Sequence, residues 1–282
     1  MNIEVTAEEK RSGQMSDETV ARAADAVRTE GYVVIEDVVD HDHLDVLKTR
    51  MDEDAERKIR SVRWGGAGAV QGHLQHKPPP FAPYVFGDVV ANGFVGQVTH
   101  AVLGDGVYNR FYSGNTNCPG SGTQPVHPDH LPLWAGLEQA HPAYQLVVNI
   151  SPENTSEKNG AVEIWPGTHL VMVEPDYSKT ATERFQKEVI EARREEVPPI
   201  RGSAKKGSVL IRDIRLWHRG VPNPSDSPRH MIALIHTIRW YGKGEALKFE
   251  RGCEDAFPEN GPVDPNVEFV DELIDYMNNP RP

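Results

Sequence analysis

The chain is 282 residues long, 38% hydrophobic and 26% charged, which is the composition of a globular protein. Its 30 Lys and Arg against 42 Asp and Glu leave a formal charge of −12, so the surface repels polyanions, and neither nucleic acid nor an anionic membrane is expected as a partner. No run of about 18 apolar residues occurs, and the opening MNIEVTAEEKRSG has neither a basic n-region nor an apolar h-region, so a cytoplasmic protein is expected. Cys118 and Cys253 are too few for a disulfide framework or a four-thiolate zinc site, although one bridge stays open.

From Ser16 the pattern is helical, with Val20, Ala23, Ala24 and Val27 on one stripe, until Gly31 ends it. Tyr32 to Ile35 reads as a strand, and Leu44, Leu47 and Met51 mark a second helix that starts at Asp40. Residues 61 to 86 carry Gly and Pro clusters without a period, the mark of a long functional loop. From about 105 to 245 short apolar runs rich in Val and Ile are punctuated by Gly, Pro and Asn: Tyr144 to Ile150, Ala161 to Trp165, Ser208 to Ile211 and His230 to Trp240. That is the cadence of an all-β barrel or jelly roll. Residues 177 to 197 interrupt it with a charged, helix-favouring insertion whose stripe is Phe185, Val189 and Ile190, expected as a solvated helix or a lid. In the acidic tail, Val267, Val270, Leu273 and Ile274 have helical spacing, so a short docking helix is expected.

Two His-x-Asp triplets occur where about one is expected by chance. His43-Leu44-Asp45 lies inside a predicted helix, where side chains two apart diverge and cannot chelate one ion. His127-Pro128-Asp129 lies in extended, Pro-punctuated sequence, where positions i and i+2 share a face. A second imidazole from a distant strand would complete the two-His, one-carboxylate set that holds non-haem Fe(II) with open positions. His218 ends a strand-like run, and Arg229 follows eleven residues on with the fork suited to a free carboxylate.

These segments resemble the phytanoyl-CoA dioxygenase-like family of Fe(II)- and 2-oxoglutarate-dependent oxygenases. AADAVRTEGYVVIEDVVD is similar to its entry helix and strand, PGSGTQPVHPDH to the segment with its first two iron ligands, NGAVEIWPGTHL to its hairpin, and KKGSVLIRDIRLWHRGVPNPSDSPRHM to the strand pair with the last ligand and the co-substrate arginine. The resemblance implies a mainly β fold, a double-stranded β-helix (cupin-like jelly roll) buttressed by N-terminal helices at about 16–60, as one domain over 1–282. It implies His127, Asp129 and His218 as iron ligands and Arg229 as the partner of the distal carboxylate of 2-oxoglutarate. Gln124 and Asn149 are implied as further co-substrate contacts, and His169 as a structural hydrogen bonder. The chain departs from the pattern at Pro128, which has neither a side-chain donor nor an N–H where some relatives carry Gln, and at Asn117-Cys118, where many carry Lys.

Fe(II), 2-oxoglutarate and O2 are thus the expected cofactor and co-substrates, and the carboxylate of Asp129 favours hydroxylation, desaturation, epoxidation or ring formation over halogenation. The expected substrate is a small organic molecule, a specialised metabolite, with Trp64, His73, Arg110, Trp134, Trp165 and Arg239 as candidate contacts. A monomer or homodimer is expected. The competing reading is a non-oxidative isomerase or hydrolase using Zn²⁺ or Mn²⁺ on the same barrel, which would leave Arg229 without a role.

Overall fold

The computed structural model describes residues 1–60, 70–173 and 185–278. Short β1 (Asn2–Glu4) and α1 (Ala7–Ser12) precede the expected helix, strand and helix, which are α2 (Asp17–Glu30), β2 (Tyr32–Glu36) and α3 (His41–Arg60). α2 starts where the Ser16 side chain accepts from the Thr19 amide and stops at Gly31, whose φ of +83° is left-handed. A Cβ there would come within 2.6 Å of both His169 Nδ1 and Leu216 Cδ1, so this glycine also lets two loops of the barrel close on the helix end.

The chain continues through β3 (His73–Gln75), α4 (Gly87–Val90), α5 (Gly93–Leu103), β4 (Tyr108–Asn117), β5 (Gln145–Ile150), β6 (Glu163–Ile164), α6 (Lys187–Glu196) and β7 (Ile200–Arg201). It ends with β8 (Val209–Asp213), β9 (His218–Arg219), β10 (Arg229–Thr237), β11 (Leu247–Glu250) and β12 (Val267–Val270). Seven strands form the large sheet in the order β1-β2-β8-β5-β10-β4-β3, and β7-β6-β9 form a small one. This is the expected jelly roll with helices on one face.

Register decides what each face carries. Leu234 pairs with Val148, which pairs with Ile211; one step along, Ala233 pairs with Asn149, which pairs with Leu210. Side chains alternate across a strand, so Val148, Ile211, Ile232 and Leu234 pack with Val27, Leu47, Met51 and Val98 of the helices in the main core. Asn149, Arg212, Arg229 and Ala233 fall on the other face, inside the barrel.

Two expectations change and two are narrowed. The tail is not a helix at Val267: Val267–Val270 pairs in parallel with β11, because the alternation in Val-Glu-Phe-Val finds a strand edge, and Leu273 is left exposed. The end of the chain is instead held to α3, Tyr276 donating to Asp54 Oδ2 at 2.6 Å and Lys58 to the Met277 carbonyl at 2.6 Å. Among the described residues the insertion is helical over Lys187–Glu196, and residues 174–184 lie outside them. The loop at 61–86 contains the strand β3, and its residues 61–69 also lie outside. Both cysteines are free and buried. No helix among the described residues is long and apolar enough to cross a membrane.

Candidate metal centre

His127 and His218 sit opposite each other in an antiparallel bridge, each amide donating to the other's carbonyl at 3.0 and 2.9 Å. Two residues on, the Asp129 amide donates to the Ile214 carbonyl at 3.1 Å, which turns the segment back across the same end of the barrel. The imidazoles lie 4.7 Å apart between ring centroids, and His218 Nε2 is 3.5 Å from Asp129 Oδ1. One ligand atom from each of the three side chains falls within 4.8 Å of the others. Among the described residues no second such cluster of three His, Cys, Asp or Glu occurs.

Both rings are oriented from behind. His127 Nδ1 lies 2.7 Å from the Pro125 carbonyl and His218 Nδ1 3.0 Å from the Leu216 carbonyl, so each Nδ1 carries the proton and each Nε2 is the free ligand atom. Burial, then the neighbouring His218, pushes His127 down to about 4, which keeps it neutral at physiological pH. Burial alone would raise the Asp129 carboxyl, but the Arg212 guanidinium and the histidines outweigh it and hold it well below the usual carboxylate range. The aromatic support comes from the insertion: Phe185, Val189 and Ile190 pack on Val126, Trp165 and Trp217, the immediate neighbours of the two candidate ligand histidines among them.

Arg229, buried on the inner face of β10, donates from Nη2 to the Gly160 carbonyl at 2.8 Å. Gly160 belongs to the Asn-Gly-Ala motif; its φ of +73° and the 2.5 Å that a Cβ would leave to Asn117 Nδ2 explain the glycine. Arg229 Nε has no partner, and burial pulls the guanidinium down to about 10, opposed by Glu153. Asn149 Nδ2 and Arg212 Nη1 are also buried and unpaired. Each such group costs about 1–3 kcal/mol if left unsatisfied, and all three are donors. Asn149 and Arg229 line one cavity with Ser151, Ser208, Leu210 and Met231. A donor set of two neutral imidazoles and an ionised carboxylate, beside a barrel interior short of hydrogen-bond acceptors, fits a ferrous ion with a dicarboxylate co-substrate.

The other expected residues divide. Gln124 is buried beside the triad segment, its Oε1 accepting from the Gly220 amide at 2.7 Å. His73 packs next to it, bonded to the Gly122 carbonyl at 2.7 Å, and burial lowers its pKa. Arg110 and Trp134 join a ledge of rings that starts at the residue after Asp129. His130 stacks on Tyr144, which meets His141 and Tyr241; His141 meets Trp134, and the Arg110 guanidinium lies 5.6 Å above Tyr241.

Trp165 is fully buried, bonded to Glu163 and packed on Trp217, so it belongs to the core behind the histidines and not to a substrate wall. Arg239 is exposed, with its stem against Gly106. Trp64 lies outside the described residues. His43 and Asp45 diverge as expected, pairing with Asp88 and Lys206. His169 Nε2 meets the Arg28 carbonyl at 3.0 Å. The residue that sequence reasoning missed is Arg212, which contacts Asp129 directly; its place at the end of the apolar run Val-Leu-Ile does not say which face it takes.

The family model for phytanoyl-CoA dioxygenase (PhyH) matches residues 27–231. The chain belongs to this family. Its PhyH segment contains the triad and Arg229, and solved structures share the fold. The non-heme alpha-ketoglutarate-dependent carbocyclase SnoK from nogalamycin biosynthesis is 19% identical with a TM-score of 0.55, over 79% of this chain and 84% of that one. AviO1 from Streptomyces viridochromogenes Tue57 is 21% identical with a TM-score of 0.55, over 79% and 96%. The epimerase SnoN, in complex with Fe3+, alpha ketoglutarate and nogalamycin RO, is 17% identical with a TM-score of 0.57, over 79% and 85%.

Proposed function

We propose that this PhyH-family protein is an Fe(II)- and 2-oxoglutarate-dependent dioxygenase that oxidises a small organic molecule, a specialised metabolite, by hydroxylation or by the desaturation, epoxidation or ring closure available to the same oxidant. The observation that carries this is the pairing of a preformed two-His, one-carboxylate cluster with a buried arginine whose Nε has no acceptor. The iron and alpha ketoglutarate bound by SnoN, and the alpha-ketoglutarate dependence of SnoK, support the same reading. A Zn²⁺ or Mn²⁺ isomerase or hydrolase would give Arg229 nothing to bind.

His127 and His218 would hold the iron through Nε2 and Asp129 through a carboxylate oxygen, and Arg229 would take the distal carboxylate of 2-oxoglutarate in a charge-assisted pair. Bound iron and 2-oxoglutarate supply the oxidising chemistry, consuming O2 and releasing succinate and CO2. The protein's own work is orientation. The two backbone carbonyls at Pro125 and Leu216 hold the Nδ1 protons, so neither ring can turn and present the wrong nitrogen. Asp129 stays ionised across the physiological range. On the substrate side, the exposed rings of His130 and Trp134, next to the buried Tyr144, offer apolar surface, while Arg110, which has no carboxylate partner among the described residues, offers a positive charge near Tyr241. A substrate with a ring system and an acidic or strongly polar substituent suits that ledge.

The test is anaerobic addition of Fe(II) and 2-oxoglutarate to metal-free protein, followed through the weak visible charge-transfer band of the chelate. The band is expected in the wild type and absent in His218→Ala. One bound metal per chain without any band would sink the oxygenase reading in favour of the isomerase or hydrolase.

A further inference from the structure

Beyond keeping Asp129 ionised, Arg212 has no role in the functional reading so far, yet among the described residues it is the Lys or Arg paired with a proposed metal ligand. It stands on β8 between Tyr32 of β2 and Val147 of β5, with its guanidinium inside the barrel and its side chain only 5% exposed. Nη2 donates to Asp129 Oδ2 at 2.6 Å, Nε donates to Asn149 Oδ1 at 3.2 Å, and Nη1 is buried with no partner. Asn149, turned by that bond, has its own Nδ2 buried and unpaired. One edge of the guanidinium, Nε and Nη2, is therefore used on Asn149 and Asp129, and Nη1, next to Nη2, is the spare donor nearest the Asp129 contact.

The contact with Asp129 also sorts its two oxygens. Oδ2 is taken by Arg212, while Oδ1 is the oxygen 3.5 Å from His218 Nε2, on the side of the histidines. A carboxylate held in this way offers a cation one oxygen and not two. A guanidinium is planar with five donors in a fixed fork, so an arginine that grips Asp129 with one arm directs the other to a neighbouring acceptor at a set distance. Arg229 lies on the opposite side of β5, on β10, and its spare donor is a separate one. A ligand with two carboxylates would meet one arginine at each end.

We propose that Arg212 is a positioning residue that ties Asp129 to the carboxylate next to the ketone of the 2-oxo acid, through Nη1, while Arg229 serves the distal carboxylate alone. This rests on the oxygenase reading. The two arginines then make different predictions for different keto acids. Pyruvate has the carboxylate beside the ketone but no distal one, so it engages Arg212 and not Arg229.

The experiment titrates 2-oxoglutarate and pyruvate, separately and without O2, into the Fe(II)-loaded wild type, Arg212→Gln, Arg212→Lys and Arg229→Gln, reading the chelate band. Fe(II) affinity without keto acid is measured in parallel, together with thermal melts. Arg229→Gln is expected to weaken 2-oxoglutarate and leave pyruvate unchanged. Arg212→Gln is expected to weaken both by about the same factor, 10- to 100-fold, and to lower Fe(II) affinity. Arg212→Lys, which keeps the charge but loses the fork, is expected to fall between them and serves if the Gln variant does not fold. Wild-type affinities for both keto acids in the Lys and Gln variants would overturn the proposal, as would a loss of Fe(II) affinity with keto-acid binding unchanged, which would confine Arg212 to Asp129. No band in the wild type would instead overturn the oxygenase reading itself.

Discussion

The two faces of the large sheet are built from the same strands, one residue apart, and they do opposite things. The outer face, Val148, Ile150, Ile211, Ile232 and Leu234, is apolar and closed by helices. The inner face places Asn149, Arg212 and Arg229 where three buried donors lack acceptors. Close packing lowers the free energy of the folded chain, whereas unpaired donors raise it. Stability is therefore concentrated on one face and binding capacity on the other, and alternation along a strand is what keeps them apart.

That division can be broken from either side. The largest effect is expected from His218→Ala, which removes a ligand and one arm of the triad. Metal-dependent turnover should vanish and Fe(II) affinity fall by more than about 100-fold, measured by anaerobic titration, with less loss of stability than the outer-face change that follows. Ile211→Ala on the outer face should cost about 2–5 kcal/mol in chemical denaturation by leaving a cavity against the helices. Its keto-acid affinity should stay at the wild-type value, and a large change there would mean that the faces are coupled.

The outer face also has a pH signature. His236 is buried against Thr99 of α5 at 2.9 Å, and burial lowers it to about 4. Because its folded pKa lies below the unfolded one of about 6.5, the unfolded chain binds the proton first as pH falls. The group's stabilising effect is complete above about 6.5 and is lost progressively down to about 4, by up to about 3 kcal/mol. Denaturation of wild type and His236→Gln between those limits should show a flatter profile for the variant. The smallest effect belongs to Arg110→Ala at the ledge, with KM for the substrate raised about tenfold, equivalent to about 1.4 kcal/mol, and kcat and the chelate band unchanged. A fall in kcat alone would place Arg110 outside substrate binding.

How far these features were legible in the sequence follows from their range. α2, α3 and β10 are long enough for a period to show, and Ser16 and Gly31 punctuate them. His127-Pro128-Asp129 was legible because chelation at i and i+2 needs only local extended backbone, and His43-Leu44-Asp45 was dismissed on the same local ground. Arg212 was not legible: at the end of Val-Leu-Ile-Arg it has the pattern of a half-buried strand with its polar side in solvent, and only the sheet pairing turns it inward. The tail failed for a related reason. Val267 and Val270 satisfy a helix while Val-Glu-Phe-Val satisfies a strand, and the choice rests on β11, which local spacing does not reveal. Trp165 resembled a pocket residue until Phe185 and Trp217 were placed around it.

The reciprocal bridge between His127 and His218 has a last consequence. Their spacing is set by two backbone hydrogen bonds and their ring angles by two backbone carbonyls, so the proposed ligand set is assembled by the chain's own folding. Many metal sites form only as the ion binds, and a chelator then unfolds them. This one should behave as a rigid socket: ion exchange leaves the scaffold standing, and the stripped protein persists as a reservoir that can be reloaded. Which cation it holds in a cell would then be governed by supply and by the keto acid that locks the ion in place, more than by the polypeptide itself.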